Sequence, residues 1–213
     1  MLTVAGRPCL VVGGGPVAAR KTRGLVEAGG RVTVVAPQMV AAVETLAGGA
    51  GRGTDTDDWG PGGVVLERRP YRSGEAGRYD LVVTATGVPS VDSEVTADAR
   101  SQGVLVDSAD RGVPGTIRLP AVLRRGPVTV AVSTGGSSPA LARWLRDRIA
   151  ASLPPAIGTV AALVDEARTG MQADGRSTDS VEWSDLLDRV APLVEQGRID
   201  EARDTIRAAC SGG

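Results

Sequence analysis

Histidine and phenylalanine are absent from this 213-residue sequence, and lysine occurs once, at position 21. Without histidine the chain lacks the imidazole that activates most catalytic serines, so a serine nucleophile is not expected. The same absence removes imidazole as a metal ligand.

Cysteine is also scarce, with Cys9 and Cys210 as the two examples. The pair matches no metal-binding spacing, and a disulfide framework is not expected, so we predict no metal site. The sequence has no run of 18 apolar residues and no signal-peptide pattern, so we expect no membrane insertion and take the cytoplasm as the default location. A net charge of −1 gives no reason to expect a nucleic-acid partner.

Glycine, by contrast, is abundant, and three glycines stand together in PCLVVGGGPVAARK at residues 8–21. An apolar run precedes them and Pro16 opens a helical pattern, which predicts a strand, a tight turn and a helix. Gly13, Gly15 and Ala18 have the G-x-G-x-x-A spacing of a turn whose backbone N–H groups bind the pyrophosphate of a dinucleotide. We predict a nucleotide site here; the alternative is a turn with a purely structural role.

Strand and helix patterns alternate through the first 110 residues. This alternation predicts parallel strands joined by helices, and hence an α/β, Rossmann-like parallel sheet domain. Residues 48–63 are rich in glycine and aspartate and are predicted to form a loop. The strands are predicted at residues 9–12, 31–36, 64–68, 79–84 and 104–106, and the helices at residues 17–28, 37–47 and 90–102.

Loops that follow the carboxyl ends of parallel strands form the ligand crevice in such folds. The loop after the second strand reads VAPQ and lacks the acidic residue that usually binds the ribose of NAD, so NAD and NADP both stay open. The loop TATG at residues 84–87, after the fourth strand, is a second place for cofactor contact. The residues that we predict to bind the cofactor are Gly13, Gly14, Gly15, Pro16, Val17, Ala36, Pro37, Thr84, Ala85 and Thr86.

Two aspartates, Asp107 and Asp110, follow the fifth predicted strand at the same edge of the sheet. A carboxylate there can serve as a general base; the alternative is that the pair only forms a turn. Several arginines come next in the chain, among them Arg111 and Arg118. They either bind a polycarboxylate or phosphate ligand through bidentate hydrogen bonds or are simply solvated.

The pattern changes after residue 110. Strand patterns at residues 116–119 and 128–133 flank a turn at residues 124–127, which leaves no room for a helix and predicts antiparallel pairing. Ser138 is suited to cap a helix that starts at Pro139, and the loop containing Ser137 could alternatively cradle an anion. Helices are predicted at residues 139–153, 156–173, 180–196 and 199–210.

Three stretches together resemble one known family: GRPCLVVGGGPVAARK, VTVVAP and VDSADRGVPGTIRLPAVLRRGPVTVAVSTGGSSPALARWLR. They are similar to the precorrin-2 dehydrogenase part of siroheme synthases, over about residues 6–149 and more loosely in the helical tail. Residues 128–143 are the most specific part, because the glycine turn is shared with many folds. The sequence looks like the stand-alone form, without the methyltransferase domain of multifunctional siroheme synthases.

The resemblance implies NAD-dependent dehydrogenation of the tetrapyrrole precorrin-2 to sirohydrochlorin, and in some members insertion of Fe²⁺ to give siroheme. Counting back from Pro120, it places the family's active-site aspartate at Asp110 as the catalytic residue and the family's asparagine at Asp107. The residues expected to bind the substrate are Asp107, Arg111, Arg118, Ser137 and Ser138.

The resemblance also implies a homodimer that uses the segment after the Rossmann-like domain. We accordingly expect an NAD-binding domain at residues 1–112, a small α+β dimerisation segment at residues 113–153 and a helical C-terminal domain at residues 154–213. The competing hypothesis is a regulatory Rossmann module that senses NAD(H) without turnover. Such modules commonly keep the acidic residue after the second strand, and they do not account for residues 128–143.

Overall fold

A computed structural model describes residues 2–48, 63–110 and 112–211 of the chain. They divide into two compact units, Met1–Leu119 and Pro120–Gly213. The boundary between the units thus falls seven residues after the one expected at residue 112. The expected loop at residues 48–63 lies almost wholly outside the described residues.

The first unit is built on a five-stranded parallel sheet, which confirms the predicted Rossmann-like fold. Its strand order is β3-β2-β1-β4-β5, so the direction of winding reverses between β1 and β4, where ligands bind in such folds. The strands are β1 (Pro8–Val12), β2 (Arg31–Val35), β3 (Val64–Glu67), β4 (Leu81–Thr84) and β5 (Leu105–Ser108). The helices are α1 (Pro16–Glu27), α2 (Ala41–Gly48) and α3 (Pro89–Ser101).

Helices cover both faces of this sheet, which is why its strands are almost continuously apolar. Successive side chains of a strand point to opposite faces. On β1, Val11 packs into the cluster that α1 and α2 cover, and Leu10 packs into the cluster that α3 covers. Two layers of helices therefore fix the sheet and leave the carboxyl ends of its strands free to carry a site.

The outer edge of β5 is covered by the segment at residues 116–119, for which the prediction of a strand is wrong. Both Thr116 and Ile117 donate their backbone N–H groups to the Val106 carbonyl oxygen, at 2.8 and 3.1 Å. The Thr116 hydroxyl accepts a hydrogen bond from the Val106 N–H at 2.9 Å. All three bonds converge on one residue of β5, so the segment is pinned to the edge without forming a ladder.

The second unit begins with an antiparallel hairpin of β6 (Ala121–Arg125) and β7 (Val128–Val132). Antiparallel pairing was predicted for residues 128–133, but their partner is β6 and not the segment at residues 116–119. Gly126 has φ +55° in the two-residue turn. A Cβ on Gly158 would lie 2.8 Å from the Arg125 carbonyl oxygen, so the turn packs closely against a helix in a way that requires glycine.

The rest of the second unit is helical: α4 (Pro139–Ser152), α5 (Ile157–Ala173), α6 (Trp183–Glu195) and α7 (Ile199–Ser211). Ser138 caps α4 by accepting the Leu141 N–H at 3.1 Å, which confirms the predicted cap. Side chains of α5, α6 and α7 form their own core around Val190 and Ile206. Among the described residues no single helix is long and apolar enough to cross a membrane; α4 and α5 meet that criterion only as a pair bent by 74°.

Candidate functional site

The glycine turn between β1 and α1 is held by backbone contacts from two neighbouring loops. Gly13 has φ +131°, in the region that favours glycine, and donates its N–H to the Val35 carbonyl oxygen at 2.9 Å. A Cβ on Gly13 would overlap the carbonyl oxygen of Ala85, in the loop after β4. Gly13 is therefore required by the packing of the turn itself.

Gly14 and Gly15 have opposite surroundings. A Cβ on Gly14 would overlap the carbonyl oxygen of Gln38, and the Gly14 carbonyl accepts the Val40 N–H at 2.9 Å. A Cβ on Gly15 would meet no protein atom within 4 Å, at an unstrained φ of −85°. The sequence pattern did not reveal that Gly14 must be glycine because it packs closely against the loop after β2. The space beside Gly15 is the part of the turn that can accommodate a ligand.

The N-terminus of α1 is suited to bind an anion. Gly15 occupies the N-cap and makes no side-chain cap hydrogen bond, and Pro16 takes the first helical position. The first N–H groups of an α-helix have no acceptor within the helix, so those of Val17 and Ala18 are available at the positive end of the helix dipole. Ala18 is fully buried, which lets α1 pack closely on the sheet. The turn thus fits the pyrophosphate of a dinucleotide, as the sequence predicts.

The end of β2 offers no acidic residue to a ribose. Ala36 is buried and donates its N–H to the Glu67 carbonyl oxygen at 3.1 Å, while Pro37 and Gln38 are exposed. The nearby arginines are engaged in ion pairs: Arg68 with Glu44, and Arg69 with Glu67 and Glu75. The hydrogen bond to Glu75 is the main cause that raises the pKa of Arg69 above its ordinary value.

A buried carboxylate organises the loop after β4. Asp92, in the first turns of α3, is 1% exposed. Its Oδ1 accepts hydrogen bonds from the Thr86 N–H at 3.1 Å and the Thr86 hydroxyl at 2.8 Å, and also from the Thr84 hydroxyl. Thr84, Ala85 and Thr86 are therefore held rigidly beside the glycine turn. The sequence analysis did not identify this role of Asp92, because the only indication in the sequence was an acidic residue near the start of a helix.

Asp107 lies within β5 and not in the loop after it, so the prediction that the strand ends before Asp107 is wrong. Its side chain is 4% exposed and forms an ion pair with the only lysine, Lys21 on α1, with 2.6 Å between Nζ and Oδ2. Its other oxygen, Oδ1, accepts the Leu119 N–H at 3.3 Å. Both oxygens are thus engaged by protein groups, which fits a structural carboxylate better than a base.

Asp110 follows the end of β5, as predicted, and is half-buried. Its Oδ1 accepts the Gly112 N–H at 2.8 Å, and its backbone N–H donates to the Ser108 hydroxyl at 3.2 Å. The Ala109 N–H donates to the Thr84 carbonyl oxygen at 2.9 Å, which links this turn to the end of β4. Asp110 is therefore a fixed carboxylate at the same sheet edge as the glycine turn.

The residues predicted to bind the substrate are divided between the two compact units. Arg118 is exposed between Ile117 and Leu119, whose side chains pack against the sheet core. Ser137 and Ser138 belong to the second unit, where the Ser137 hydroxyl donates to the Thr134 carbonyl oxygen at 2.7 Å. Arg111 lies outside the described residues. Within the described parts of the chain, no three His, Cys, Asp or Glu side chains cluster in a way that could hold a metal ion.

Comparison with known families agrees with this geometry. Residues 1–121, more than half of the chain, match the family model described as putative NAD(P)-binding. Residues 125–152 match the model described as the central part of a sirohaem biosynthesis protein. The chain belongs to this NAD(P)-binding family of siroheme biosynthesis. The resemblance noted in the sequence is thereby confirmed at the level of the family.

Individual members of this siroheme-biosynthesis family agree with the assignment. The chain is 33% identical over 216 residues to the siroheme synthase of Nitrosococcus oceani and 36% identical over 210 residues to that of Thioalkalivibrio sulfidiphilus. These matches cover 100% and 97% of this chain but only 43% and 40% of the relatives, so the chain spans about two fifths of their length.

The fold has a counterpart among solved structures. The structure of "SirC, precorrin-2 dehydrogenase" superposes with a TM-score of 0.70 and covers 98% of both chains at 24% identity. This likeness shows that the chain has the same fold.

Proposed function

We propose that this chain is an NAD-dependent dehydrogenase that oxidises precorrin-2 to sirohydrochlorin. One observation carries the proposal: the open side of Gly15, the rigid Thr84–Thr86 loop and Asp110 follow β1, β4 and β5, which are neighbours in the sheet. An anion site and a fixed carboxylate therefore share one edge. The siroheme synthase relatives and the fold shared with a precorrin-2 dehydrogenase support this choice of substrate.

The residues of the turn fit the cofactor that the reaction needs. NAD, when bound, accepts the hydride that the substrate loses. The N–H groups of Val17 and Ala18 would hold its pyrophosphate, and the loop of Thr84, Ala85 and Thr86 would face the adjoining part of the molecule. We propose NAD rather than NADP, because Arg68 and Arg69, the two arginines directly after β3, are both paired with carboxylates and are not available to a 2′-phosphate.

Asp110 is the proposed base. Dehydrogenation removes a hydride and a proton from the substrate, and a positioned carboxylate can take the proton. Asp107 is a poorer base because Lys21 and the Leu119 N–H occupy its two oxygens. Only one oxygen of Asp110 is described as bound, to the Gly112 N–H, which leaves the carboxylate able to reach a substrate.

We propose that arginines and serines bind the carboxylates of the substrate. Precorrin-2 is a polycarboxylate, and exposed Arg118 can form charge-assisted hydrogen bonds to one of its carboxylates. Arg111, Ser137 and Ser138 stay predictions as further substrate contacts. We keep insertion of Fe²⁺ into the product as an additional activity to be assayed, with Fe²⁺ as a substrate.

We further propose that the chain acts as a homodimer in the cytoplasm. Helix α4 exposes Leu141 at 46% and Trp144 at 56%, whereas Ala142 is its one side chain described as buried. Large apolar side chains exposed on one helix are typical of a surface that a second chain covers. The free thiols of Cys9 and Cys210 fit a reducing compartment.

Turnover separates this proposal from an NAD(H)-sensing module. Wild-type protein mixed with precorrin-2 and NAD⁺ should produce NADH and sirohydrochlorin, followed by absorbance, and a second sample with Fe²⁺ reports siroheme formation. A chain that binds NADH but leaves precorrin-2 unchanged would be a sensor, and the proposal would be wrong.

Replacing Asp110 tests its role as the base. The variant Asp110→Asn keeps the size of the side chain and the oxygen that accepts the Gly112 N–H, so fold and NAD affinity should be retained. Because a positioned base contributes about 10²–10⁴-fold, kcat should fall by about that factor. Steady-state kinetics and calorimetric titration with NAD measure the two effects. An unchanged kcat would show that the proton leaves by another route.

A further inference from the structure

The ion pair between Lys21 and Asp107 links two elements of the first unit that are 86 positions apart in the sequence. Lys21 is on α1, Asp107 is on β5, and Asp107 also accepts the Leu119 N–H. The side chains of Lys21 and Asp107 are only 19% and 4% exposed, so water screens the pair weakly. Through its bonds to Lys21 and to the Leu119 N–H, Asp107 connects helix α1 to the end of the segment at residues 116–119.

Arg118 lies in the segment at residues 116–119, whose backbone is hydrogen-bonded on both sides of it. On one side, the Ile117 N–H is bound to the Val106 carbonyl oxygen at 3.1 Å. On the other side, the Leu119 N–H is bound to Asp107. The neighbours of Arg118 point into the core, and Arg118 itself points to solvent. The backbone that presents the Arg118 guanidinium is therefore held on one side by β5 and on the other by the ion pair.

We propose that Lys21 is a positioning residue for substrate binding, because through Asp107 it fixes the backbone that presents Arg118 to a carboxylate of the tetrapyrrole. This inference rests on the proposed function, since it requires a polycarboxylate ligand. Without Lys21 the carboxylate of Asp107 is buried without a cation. It then either takes up a proton or turns towards water, and in both cases it holds the Leu119 N–H less strongly. Arg118 then samples several positions, and the ligand must order it on binding.

The test measures the dissociation constant of sirohydrochlorin, the product, by titration without turnover. Lys21→Met should weaken binding about threefold to tenfold, the range expected for coupled residues of one network. Arg118→Gln should weaken it about tenfold or more, because a charge-assisted hydrogen bond is lost. In the Arg118→Gln background, Lys21→Met should cause no further loss, because the residue that it positions is gone.

Two further variants make the result specific. Lys21→Arg keeps the positive charge and a hydrogen-bond donor for Asp107, so this variant should bind sirohydrochlorin nearly as well as the wild type. It also keeps the test informative if Lys21→Met does not fold. Arg7→Gln removes an ion pair to Asp80 in the same unit, which is about half exposed, and should leave sirohydrochlorin binding unchanged. A general loss of stability would weaken binding equally in the wild-type and Arg118→Gln backgrounds.

The outcomes distinguish the two proposals. If wild-type protein binds sirohydrochlorin but Lys21→Met has no effect, or has the same effect with and without Arg118, the positioning role is wrong and the proposed function stands. If Arg118→Gln has no effect, the positioning role is wrong because its target is wrong. If the wild type neither binds the tetrapyrrole nor turns it over, the proposed function itself is wrong.

Discussion

Replacing Gly15 by valine separates the anion site from the architecture of the glycine turn. A Cβ at this position meets no protein atom within 4 Å, and φ is −85°, so a side chain can be added here without a Cβ clash or backbone strain. It does, however, fill the space in front of the N–H groups of Val17 and Ala18, where we place the pyrophosphate. We therefore expect Gly15→Val to fold and to bind NAD poorly.

The magnitude follows from the contacts that are lost. A hydrogen bond to a charged group is worth about 1.5–3 kcal/mol, so displacement of one phosphate contact weakens NAD binding about 10- to 100-fold. Stability should change little. Valine is a worse N-cap than glycine by up to about 1 kcal/mol. It also restricts the unfolded chain, which is worth about 0.4–1 kcal/mol in the opposite direction.

Two other glycines serve as controls for Gly15→Val. Gly24→Ala lies on the same helix, in open space, and should raise the free energy of unfolding by about 0.5–1 kcal/mol without affecting NAD. Gly14→Ala would overlap the Gln38 carbonyl oxygen and should unfold the turn. Calorimetric NAD titrations and urea unfolding measure both properties. Wild-type NAD affinity in Gly15→Val would refute the phosphate assignment.

Two further predictions concern the thiol of Cys9 and the surface of α4. Burial is the main cause that raises the pKa of Cys9 from 9.0 to about 11. Between these two pKa values the folded chain keeps a proton that the unfolded chain loses. The free energy of unfolding should therefore fall between pH 9 and 11, by about 2–3 kcal/mol more than in Cys9→Ala. If urea unfolding shows the same pH dependence of stability in both proteins, the prediction is wrong. Trp144→Glu should convert a wild-type dimer into a monomer in light scattering, because a carboxylate replaces an exposed apolar side chain; a monomeric wild type or a dimeric variant would contradict the proposed interface.

The strands, helices and glycine turn of the first unit follow from local patterns in the sequence. The apolar run before Gly13 is too short for a helix and is followed by glycines, which favours a buried strand. Pro16 and the helical periodicity after it start α1 where the structure has it. The cap at Ser138 is equally local, because it needs only the serine, the proline and a free N–H three residues on. Features that depend on a few neighbouring residues were therefore predictable.

Features that depend on distant partners were not. Aspartate is disfavoured in strands, so the fifth strand was predicted to end before Asp107; it continues because Lys21, 86 positions away, neutralises that carboxylate. The alternation at residues 116–119 is that of a strand, but three of its hydrogen bonds go to Val106 and a fourth goes to the side chain of Asp107, so no ladder forms. Asp92 could not be recognised either, since its role depends on the fold bringing Thr84 and Thr86 to it.

The engagement of the only lysine has a practical consequence for chemical labelling. Among side chains, an amine-selective ester has a single target in this chain, the Nζ of Lys21. That amine is largely covered and donates to Asp107, so it should acylate slowly for as long as α1, β5 and Leu119 stay joined. The rate of acylation, read from the mass of one peptide, therefore reports how often this part of the protein opens.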